Sequence, residues 1–452
     1  MYTLRAGAAI SLIAFAACRT GQKPVVMFTI AGDPTLHDTI AGDLTLHQRS
    51  AASKIDGGQA VITGSVSDSP SRQMQLDANA IAREGFIDLK EIPRTKDQMM
   101  QLGLFADMSV DLKIDKIVKR EDGIQSVSGH LESFGPGVLG HLENFGPGVA
   151  YLSIDDHKDL DPSNDEITAT IERFDGTVFL IRPFRNSLHH VTEVRRDYGE
   201  KDGNEPIAPE PDRPRVQPEP TVDPGVLKIL FVFSNQYSRV CTSGQGKANA
   251  NNWKQQITDA LVAARSNVTV DVAVFCSSDD LIAGNLKDSI DRLRTSADVA
   301  AARANTAADL VTLVVERGTE TGLAFYNFIL LPTDADRAYS AVRFTEALAR
   351  KAIEHEIGHI LGMQHDRFVL GGGDPSLCNY GTFIPIGSAT PTHRTIMATR
   401  QFCTSVCDRL REYSDPNATT RPSGVACGNP TGADNALQLR RAAVVASRFF
   451  FP

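Results

Sequence analysis

The sequence predicts an α/β domain in the C-terminal half of the chain, preceded by a β-rich region. The chain has 452 residues, more than one ordinary domain needs. After residue 225, short apolar segments alternate with segments of helical period, as in helices packed around one sheet. Earlier, residues 167–194 alternate in polarity around Asp175 and Gly176, which favours a β-hairpin. Between the halves, residues 204–225 are rich in proline and charge, which indicates an extended linker.

The elements predicted after the linker begin with a buried strand and continue in alternation. Strands are expected over residues 226–234, 268–276 and 308–316, with further strands at 322–331 and 338–344. Helices are expected over residues 249–267, about 286–302 and about 346–361. The last of these helices carries the segment that decides the function of the chain.

The N-terminus indicates export. Residues 6–17 form an apolar run after Arg5, too short to span a bilayer, so residues 1–17 are interpreted as a signal peptide. The segment ending at Cys18 also resembles a bacterial lipobox, in which Cys18 is acylated; ordinary cleavage after Ala16 is the alternative. We therefore expect a protein that is secreted, extracellular, or a periplasmic or outer-membrane lipoprotein. A membrane contact is expected only through such an anchor.

Charge excludes one class of partner. The formal net charge is -9, and phosphate binding needs clustered Lys and Arg, so nucleic acid is not expected as a partner.

Six cysteines follow Cys18, all of them after residue 240. An even number in an exported chain suggests up to three disulfides, with buried free thiols as the alternative. Their connectivity stays open. The disulfide candidates are Cys241, Cys276, Cys378, Cys403, Cys407 and Cys427.

Two tandem duplications occur before the linker. Residues 29–38 are followed by a near copy at 39–48, and residues 129–139 by a near copy at 140–150. Two short copies are too few for a solenoid, so we interpret both as local duplications in tolerant loops.

The segment HEIGHILGMQHD, residues 355–366, has the spacing of a metal site. His355 and His359 are four residues apart on the predicted helix, so both imidazoles project from one face and can share a metal ion. Gly362 is expected to end the helix in the left-handed conformation, after which His365 supplies the third nitrogen. Three such ligands suit one catalytic zinc ion that keeps a fourth position for water. Glu356 lies beside the first ligand and can accept a proton from that water.

This segment resembles the zinc signature of the metzincin metallopeptidases. Asp366 after the third histidine is similar to the reprolysin (adamalysin) branch, including its bacterial secreted members. RTIMAT, residues 394–399, resembles the Met-turn of these enzymes, with Met397 beneath the metal. Thr399 stands where some metzincins carry an additional tyrosine ligand.

The resemblance covers residues 226–449, including a similar C-terminal helix at residues 434–449, and it implies a fold and a reaction. The implied fold is an α/β (α+β) metzincin-like catalytic domain, with a mixed sheet and an active-site helix, over residues 226–452. The implied reaction is hydrolysis of peptide bonds in proteins or peptides. The substrate would lie along an edge strand, supplied by residues 322–331 or 338–344.

The resemblance also implies a role for the front half. Residues 18–203 would be a β-rich propeptide that inhibits the enzyme in a zymogen, with activating cleavage in the linker. No cysteine follows Cys18 in this half, so a cysteine switch is excluded. Some bacterial relatives cut before Asp; Arg394 and Arg400 flank the Met-turn and are candidates to attract an acidic side chain, with ordinary surface arginines as the alternative. Structural calcium, specificity and oligomeric state stay open.

Two other functions compete with peptide hydrolysis. One is a catalytically idle, zinc-containing surface binding protein. Glu356 counts against it, because a structural zinc site needs no base and closes its fourth position with another ligand. The other is a zinc hydrolase that acts on non-peptide amides, which only the family resemblance disfavours.

Overall fold

The computed structural model describes most of residues 74–198 and 225–450, together with three short strands nearer the N-terminus. The gaps within these ranges are residues 90–92, 94, 120–123, 135–147, 156–165, 174, 186–187, 197, 238–239, 241–243, 319, 328–331, 373–376, 386–390, 402, 404–406 and 419–424. Most of the leader, Cys18, nearly all of the first duplication, the loop of the second duplication and residues 204–224 lie outside the described residues. Among the described residues, no helix is long and apolar enough to cross a membrane.

The front half is built from one antiparallel sheet. Its strands are β1 Leu12–Ile13, β2 Met27–Thr29, β3 Val61–Thr63, β4 Ile81–Asp88, β5 Met99–Phe105, β6 Met108–Lys119, β7 Ile124–Phe134, β8 Gly148–Asp155, β9 Glu166–Arg173, β10 Val178–Arg185 and β11 Leu188–Val194. They pair in the order β1-β2-β3-β4-β11-β10-β9-β8-β7-β6-β5, all antiparallel except β2 with β3. β9 and β10 form the hairpin expected around Asp175 and Gly176.

Side chains on β9 alternate between the two faces of this sheet. Ile167, Ala169 and Ile171 pack in a core that belongs to the front half alone. Because successive strand residues point to opposite faces, Thr168 and Glu172 lie on the other face, towards the C-terminal half. The front half therefore has its own core and presents a second face for docking.

The C-terminal half contains a mixed five-stranded sheet. Its strands are β12 Val226–Phe233, β13 Thr269–Cys276, β14 Leu310–Val315, β15 Gly322–Ala324 and β16 Tyr339–Arg343, in the order β13-β12-β14-β16-β15. All neighbours are parallel except β15 with β16. β15 is therefore the antiparallel edge strand, and β16 is internal. The edge is supplied by the first of the two segments proposed from the sequence, although its strand ends at Ala324.

Helices cover both faces of this sheet. They are α1 Gln245–Ala263, α2 Leu286–Thr295, α3 Ala297–Thr306, α4 Phe344–Ala349, α5 Ala352–Ile360 and α6 Asn435–Ala446. On β12, Phe231 and Phe233 pack with α1, α5 and α6, whereas Leu230 and Val232 pack with α2 and α3. Three two-residue strands, β17 Phe383–Ile384, β18 His393–Arg394 and β19 Asp408–Arg409, form a small separate sheet after α5.

Two helices predicted as continuous are each divided. The segment from residue 286 breaks at Ser296, whose side chain caps α3 by accepting a hydrogen bond from the Val299 N–H at 3.1 Å. The segment from residue 346 breaks before the motif, because Lys351 has φ of 57° in the left-handed region. Hydrophobic period alone does not detect a single residue that leaves the helical conformation.

The cysteines pair less completely than the sequence suggests. Cys403 and Cys407 form a disulfide, and Cys276 is also disulfide-bonded, whereas Cys241 lies outside the described residues. Cys378 and Cys427 are free, so these two candidates do not form a third bridge. The Cys427 thiol is buried and donates a hydrogen bond to Glu412 Oε2 at 2.9 Å. Burial raises the pKa of both free thiols, which keeps them protonated and slow to oxidise.

Candidate metal centre

Helix α5 and the turn after it bring the three predicted ligands together. His355 and His359 lie one turn apart on α5, with Glu356 between them. The helix ends at Ile360, and Gly362 has φ of 83°, the left-handed conformation that glycine adopts at little cost. This turn returns the chain so that His365 faces the two helical histidines.

The three imidazoles converge through their Nε2 atoms. The separations are 3.1 Å from His355 to His365, 3.1 Å from His359 to His355 and 3.0 Å from His359 to His365. A tetrahedral zinc site with Zn–N bonds of about 2.0–2.1 Å requires nitrogens roughly 3.3 Å apart, so the observed triangle is close to that size.

The second nitrogens of two rings make bonds that fix their orientation. His355 Nδ1 lies 2.8 Å from the Ile396 carbonyl, and His359 Nδ1 lies 3.0 Å from the Met363 carbonyl. A carbonyl only accepts, so Nδ1 carries the proton and the Nε2 lone pairs of these rings point inward. Lone pairs that face one another at 3 Å need a cation between them. The donor set therefore fits a zinc ion.

The surroundings keep the imidazoles neutral. Burial, with help from the charges of Arg409 and the neighbouring histidines, holds the pKa of His355 well below its usual range. Burial and His365 do the same for His359. Burial and the charges of Arg409 and Arg394 lower the pKa of His365 to about 3. Neutral imidazole is the form that binds metal, so the site is in its ligating state at neutral pH.

Met397 supports α5 from below. It is fully buried, and a Cβ added at Gly358 would lie 2.3 Å from its sulfur. Gly358, between the two helical ligands, therefore leaves the space into which the methionine packs. The packing of Met397 against α5 is compatible with the predicted Met-turn, whereas the role of Gly358 was missed from the sequence.

Asp366 links the motif to the segment after Met397. One oxygen of its buried carboxylate accepts from both the backbone N–H and the hydroxyl of Thr399 at 2.9 Å, and the other accepts from the Val369 N–H at 3.1 Å. Thr399 thus has a structural role where some metzincins have a tyrosine ligand. The turn that carries His365 and the turn that carries Met397 are tied together by these bonds.

Glu356 lies against the edge strand. Its carboxylate is buried, and a Cβ added at Gly322, the first residue of β15, would lie 2.4 Å from Glu356 Oε1. Only glycine fits at that position while the carboxylate keeps its place. The Glu356 carboxylate, on the helix that carries His355 and His359, therefore packs against the edge strand of the sheet.

A cavity with a basic lining lies between the two halves, beside the start of α5, and none of the three imidazoles lines it. Arg394 on β18 and Arg409 on β19 are in register, and both are buried. The Arg394 guanidinium donates to the Cys407 carbonyl at 3.2 Å, and the Arg409 guanidinium donates to the Arg350 carbonyl at 3.0 Å. Arg394 is therefore not an ordinary surface arginine. The cationic residues that line the cavity are Arg196, Arg350, Lys351, Arg394, Arg400 and Arg409.

The start of α5 holds charged residues that sequence reasoning did not find. Lys351 contacts Glu172 of the front half, Arg411 lies 2.7 Å from the same carboxylate, and Arg411 also contacts Glu354. No periodicity or motif connects residues this far apart in sequence, so no sequence signal could have paired them.

Comparison with known proteins shows what this part of the chain is similar to. Residues 265–366 match the family described as metallo-peptidase family M12B, reprolysin-like. That segment includes the whole histidine motif, so the predicted resemblance to reprolysin-like metallopeptidases is confirmed for this part of the chain.

Two curated relatives are similar over a longer stretch. The peptidyl-Asp metalloendopeptidases of Stenotrophomonas maltophilia strains K279a and R551-3 are 27% and 26% identical over 285 and 289 residues, 60% of this chain in each case. The chain spans 66% of the length of each relative.

Two solved structures show a weaker likeness. One is titled "Structure of a chaperone-substrate complex" (21% identity, 50% of this chain, 36% of that chain, TM-score 0.37). The other is metalloproteinase-II from Bacteroides fragilis (12% identity, 71% of this chain, 85% of that chain, TM-score 0.35). At these TM-scores neither carries an argument about the fold.

Proposed function

We propose that this protein is a zinc-dependent metalloendopeptidase in which Glu356 is the general base. The observation that carries the proposal is the triangle of Nε2 atoms, 3.0–3.1 Å apart. His355 and His359 contribute to it from the helix that also carries Glu356, and His365 contributes from the turn after it. His355, His359 and His365 would hold the ion. When bound, the ion supplies Lewis acidity to the scissile carbonyl and lowers the pKa of the attacking water.

The residues of the chain perform the proton transfers. Glu356 takes a proton from the attacking water and returns it to the amine that leaves. Its position against Gly322 places that carboxylate next to the edge strand. A peptide added to β15 would therefore pass the base with its backbone held by strand pairing.

A matched pair of variants tests this function. Glu356→Gln keeps the shape of the side chain and removes its basicity, so casein hydrolysis should fall by about 10²–10⁴ while one zinc per chain is retained. Asp291→Asn, on the exposed surface of α2, also replaces a carboxylate by an amide, but away from the site. It should leave both casein hydrolysis and zinc content unchanged. A wild-type protein that binds zinc but stays inactive after the linker has been cut and the front half has been separated would instead support the idle binding protein.

The same proposal includes a preference for an aspartyl residue beside the cleaved bond. The name of the curated relatives supports it, and so do the buried Arg394 and Arg409, whose charges help to lower the pKa of His365. Matched peptides that differ only by Asp or Asn at one position should differ in kcat/KM by tenfold or more, on the order of one charged hydrogen bond. Equal values for both peptides would remove this preference and leave the peptidase assignment intact.

Export and latency belong to the proposal as well. The leader ending near Cys18 and the disulfides support an exported enzyme, whether released or lipid-anchored. The front half, residues 18–203, would be its propeptide, with the linker at 204–225 as the cleavage site. Labelling with a radioactive fatty acid, compared between the wild-type chain and Cys18→Ser, would decide between anchoring and release.

A further inference from the structure

The front half docks on the C-terminal half through the face opposite its own core. On β10, Phe179 and Ile181 pack within the front half, whereas Val178 and Leu180 join the core of the C-terminal half. That second core also contains Phe231 of β12. Part of the interface is therefore continuous with the hydrophobic interior of the C-terminal half.

The remainder of this interface is polar. Tyr151 on β8 donates to Asp259 Oδ2 at 2.7 Å, and the Asn252 amide on α1 donates to the Thr168 carbonyl at 3.1 Å. Arg196 near the end of the front half lies 2.6 Å from Asp408 on β19. Interfaces of mixed polarity are typical of units that can separate, unlike the apolar interior of a single domain.

Glu172 occupies a buried position in this interface, between two cations of the C-terminal half. Its carboxylate contacts Lys351, lies 2.7 Å from Arg411, and has a side chain only 13% exposed. Arg411 also contacts Glu354, which is almost fully buried. These four residues, the latch cluster, contain two cations and two carboxylates and are therefore balanced in charge.

This balance depends on the front half. Without Glu172, Lys351 and Arg411 would share the single carboxylate of Glu354. Leaving one buried charge without its partner is strongly destabilising, much more so than the pair itself is stabilising. Lys351 is the residue in the left-handed conformation before α5, and its carbonyl accepts from the His355 N–H at 3.1 Å. The latch cluster is thus built into the start of the helix that carries the candidate ligands.

We propose that residues 74–198 remain bound to the C-terminal half after the linker is cut, and that Glu172 is the latch that holds them there. This rests on the proposed function only in treating the linker as a cleavage site. The intact linker holds the two halves at an effective concentration in the millimolar range with respect to each other. Cutting it removes this contribution but breaks none of the contacts described above. Release then requires the loss of the Glu172 contacts as a separate event.

The test uses the full chain with a recognition site for an added sequence-specific protease placed within residues 204–225. Glu356→Gln is present in every sample, so that self-digestion does not interfere. After cutting, gel filtration and intact mass at pH 7 and 0.15 M NaCl report whether the two pieces elute together. We expect one species from the wild-type interface.

Glu172→Gln should raise the dissociation constant of the cut pieces by at least about 30-fold. Glu132→Gln makes the same change on a half-exposed residue that pairs within the front half, and it should match the wild type. If Glu172→Gln does not fold, Glu172→Gln with Lys351→Gln keeps the cluster neutral. That double variant should fold and still dissociate more readily than the wild type.

Two results would overturn the inference. Separation of the wild-type pieces at micromolar concentration would show that the tether, not the interface, holds the halves together. Equal dissociation constants for the wild type and for both Glu172 variants would remove Glu172 as the latch. Neither reading needs peptidase activity, so failure of the proposed function would be detected separately, by the activity and zinc measurements.

Discussion

The two ends of helix α5 are stabilised in opposite ways. Towards its C-terminal end, the Nε2 atoms of three imidazoles converge within 3.1 Å of one another. Burial lowers the pKa of each ring, which keeps it uncharged. At its N-terminal end, Lys351 lies in a cluster of four charged side chains, one of which comes from a distant strand. The three imidazoles therefore come from twelve consecutive residues, whereas the charged residues around the start of the helix come from distant parts of the chain.

The largest expected effect concerns the imidazole end. His359→Ala removes one of three converging donors, so stoichiometric zinc binding should be lost and proteolysis should fall by at least about a thousandfold. Metal content by mass spectrometry and casein hydrolysis check this. The two pieces of a cut chain should still elute together, because His359 makes none of the described contacts with the front half.

The converse variant sharpens the comparison. Glu172→Gln should weaken the interface while one zinc per chain is retained, because no described atom of Glu172 contacts an imidazole. If Glu172→Gln lost zinc, or if His359→Ala released the front half, the two ends of α5 would be coupled and the comparison would fail.

The same division limits what the sequence predicts. His355, His359 and His365 were predicted because a helix and a turn impose fixed spacings on neighbouring residues. Met397 was predicted from the resemblance of residues 394–399 to a Met-turn. Glu172 was not found, because its partners lie 179 and 239 residues further along the chain and its strand shows no more than alternation. The outlines of the strands after residue 225 were also predictable, since parallel strands are buried on both faces and read as apolar runs.

The two helix breaks and the two glycine roles that were not predicted each depend on a single residue or a single contact. The helix breaks at Ser296 and Lys351 depend on one residue each, a cap in one case and a left-handed conformation in the other. The roles of Gly358 and Gly322 depend on what approaches them in space, Met397 in one case and Glu356 in the other. A single sequence shows the glycine, but it does not show which side chain packs against that glycine in the fold.

A pH titration separates the two ends further. Burial opposes the charge of Glu172, but Lys351 and Arg411 outweigh it and lower its pKa to about 2, below the ordinary value of 4.5. A carboxylate whose pKa is lower in the folded state contributes stability above its unfolded pKa and loses it as pH falls through the folded pKa. The difference in free energy of unfolding between wild type and Glu172→Gln should therefore be constant above about pH 5 and shrink towards pH 2.

Urea denaturation at several pH values measures this difference. The pH-dependent contributions of the carboxylates that both proteins share cancel when the two free energies of unfolding are subtracted. A difference that stayed constant down to pH 2 would contradict the ionic origin of the latch. The imidazoles have a window of their own, because burial lowers their folded pKa values below the ordinary 6.5 and unfolding takes up protons once the pH falls below about 6.5. Both proteins share that contribution, so it also cancels in the subtraction.

A smaller effect is expected at Asp366, on the imidazole end. Asp366→Asn keeps the size of the side chain but removes the charge that accepts from Thr399 and from Val369. Loss of hydrogen bonds to a buried charged group should lower the free energy of unfolding by about 1.5–3 kcal/mol. Asp291→Asn, which breaks surface pairs with Lys287 and Arg294 only, should change it by less than about 0.5 kcal/mol. Equal effects of both variants would mean that the Asp366 contacts do not stabilise the turn.

The smallest expected effect tests whether the interface depends on the latch alone. Tyr151→Phe removes one hydroxyl, and with it the 2.7 Å bond to Asp259, at a point where α1 rather than α5 meets the front half. A single hydrogen bond of this kind is worth about 1 kcal/mol, so the dissociation constant of the cut pieces should rise roughly fivefold. Zinc content should not change.

Because Tyr151 and Glu172 both lie near Arg411, the double variant is informative as well. Additive effects would mean that the polar contacts act separately, whereas a smaller combined effect would show that Tyr151 helps to place the Arg411 guanidinium within the latch cluster.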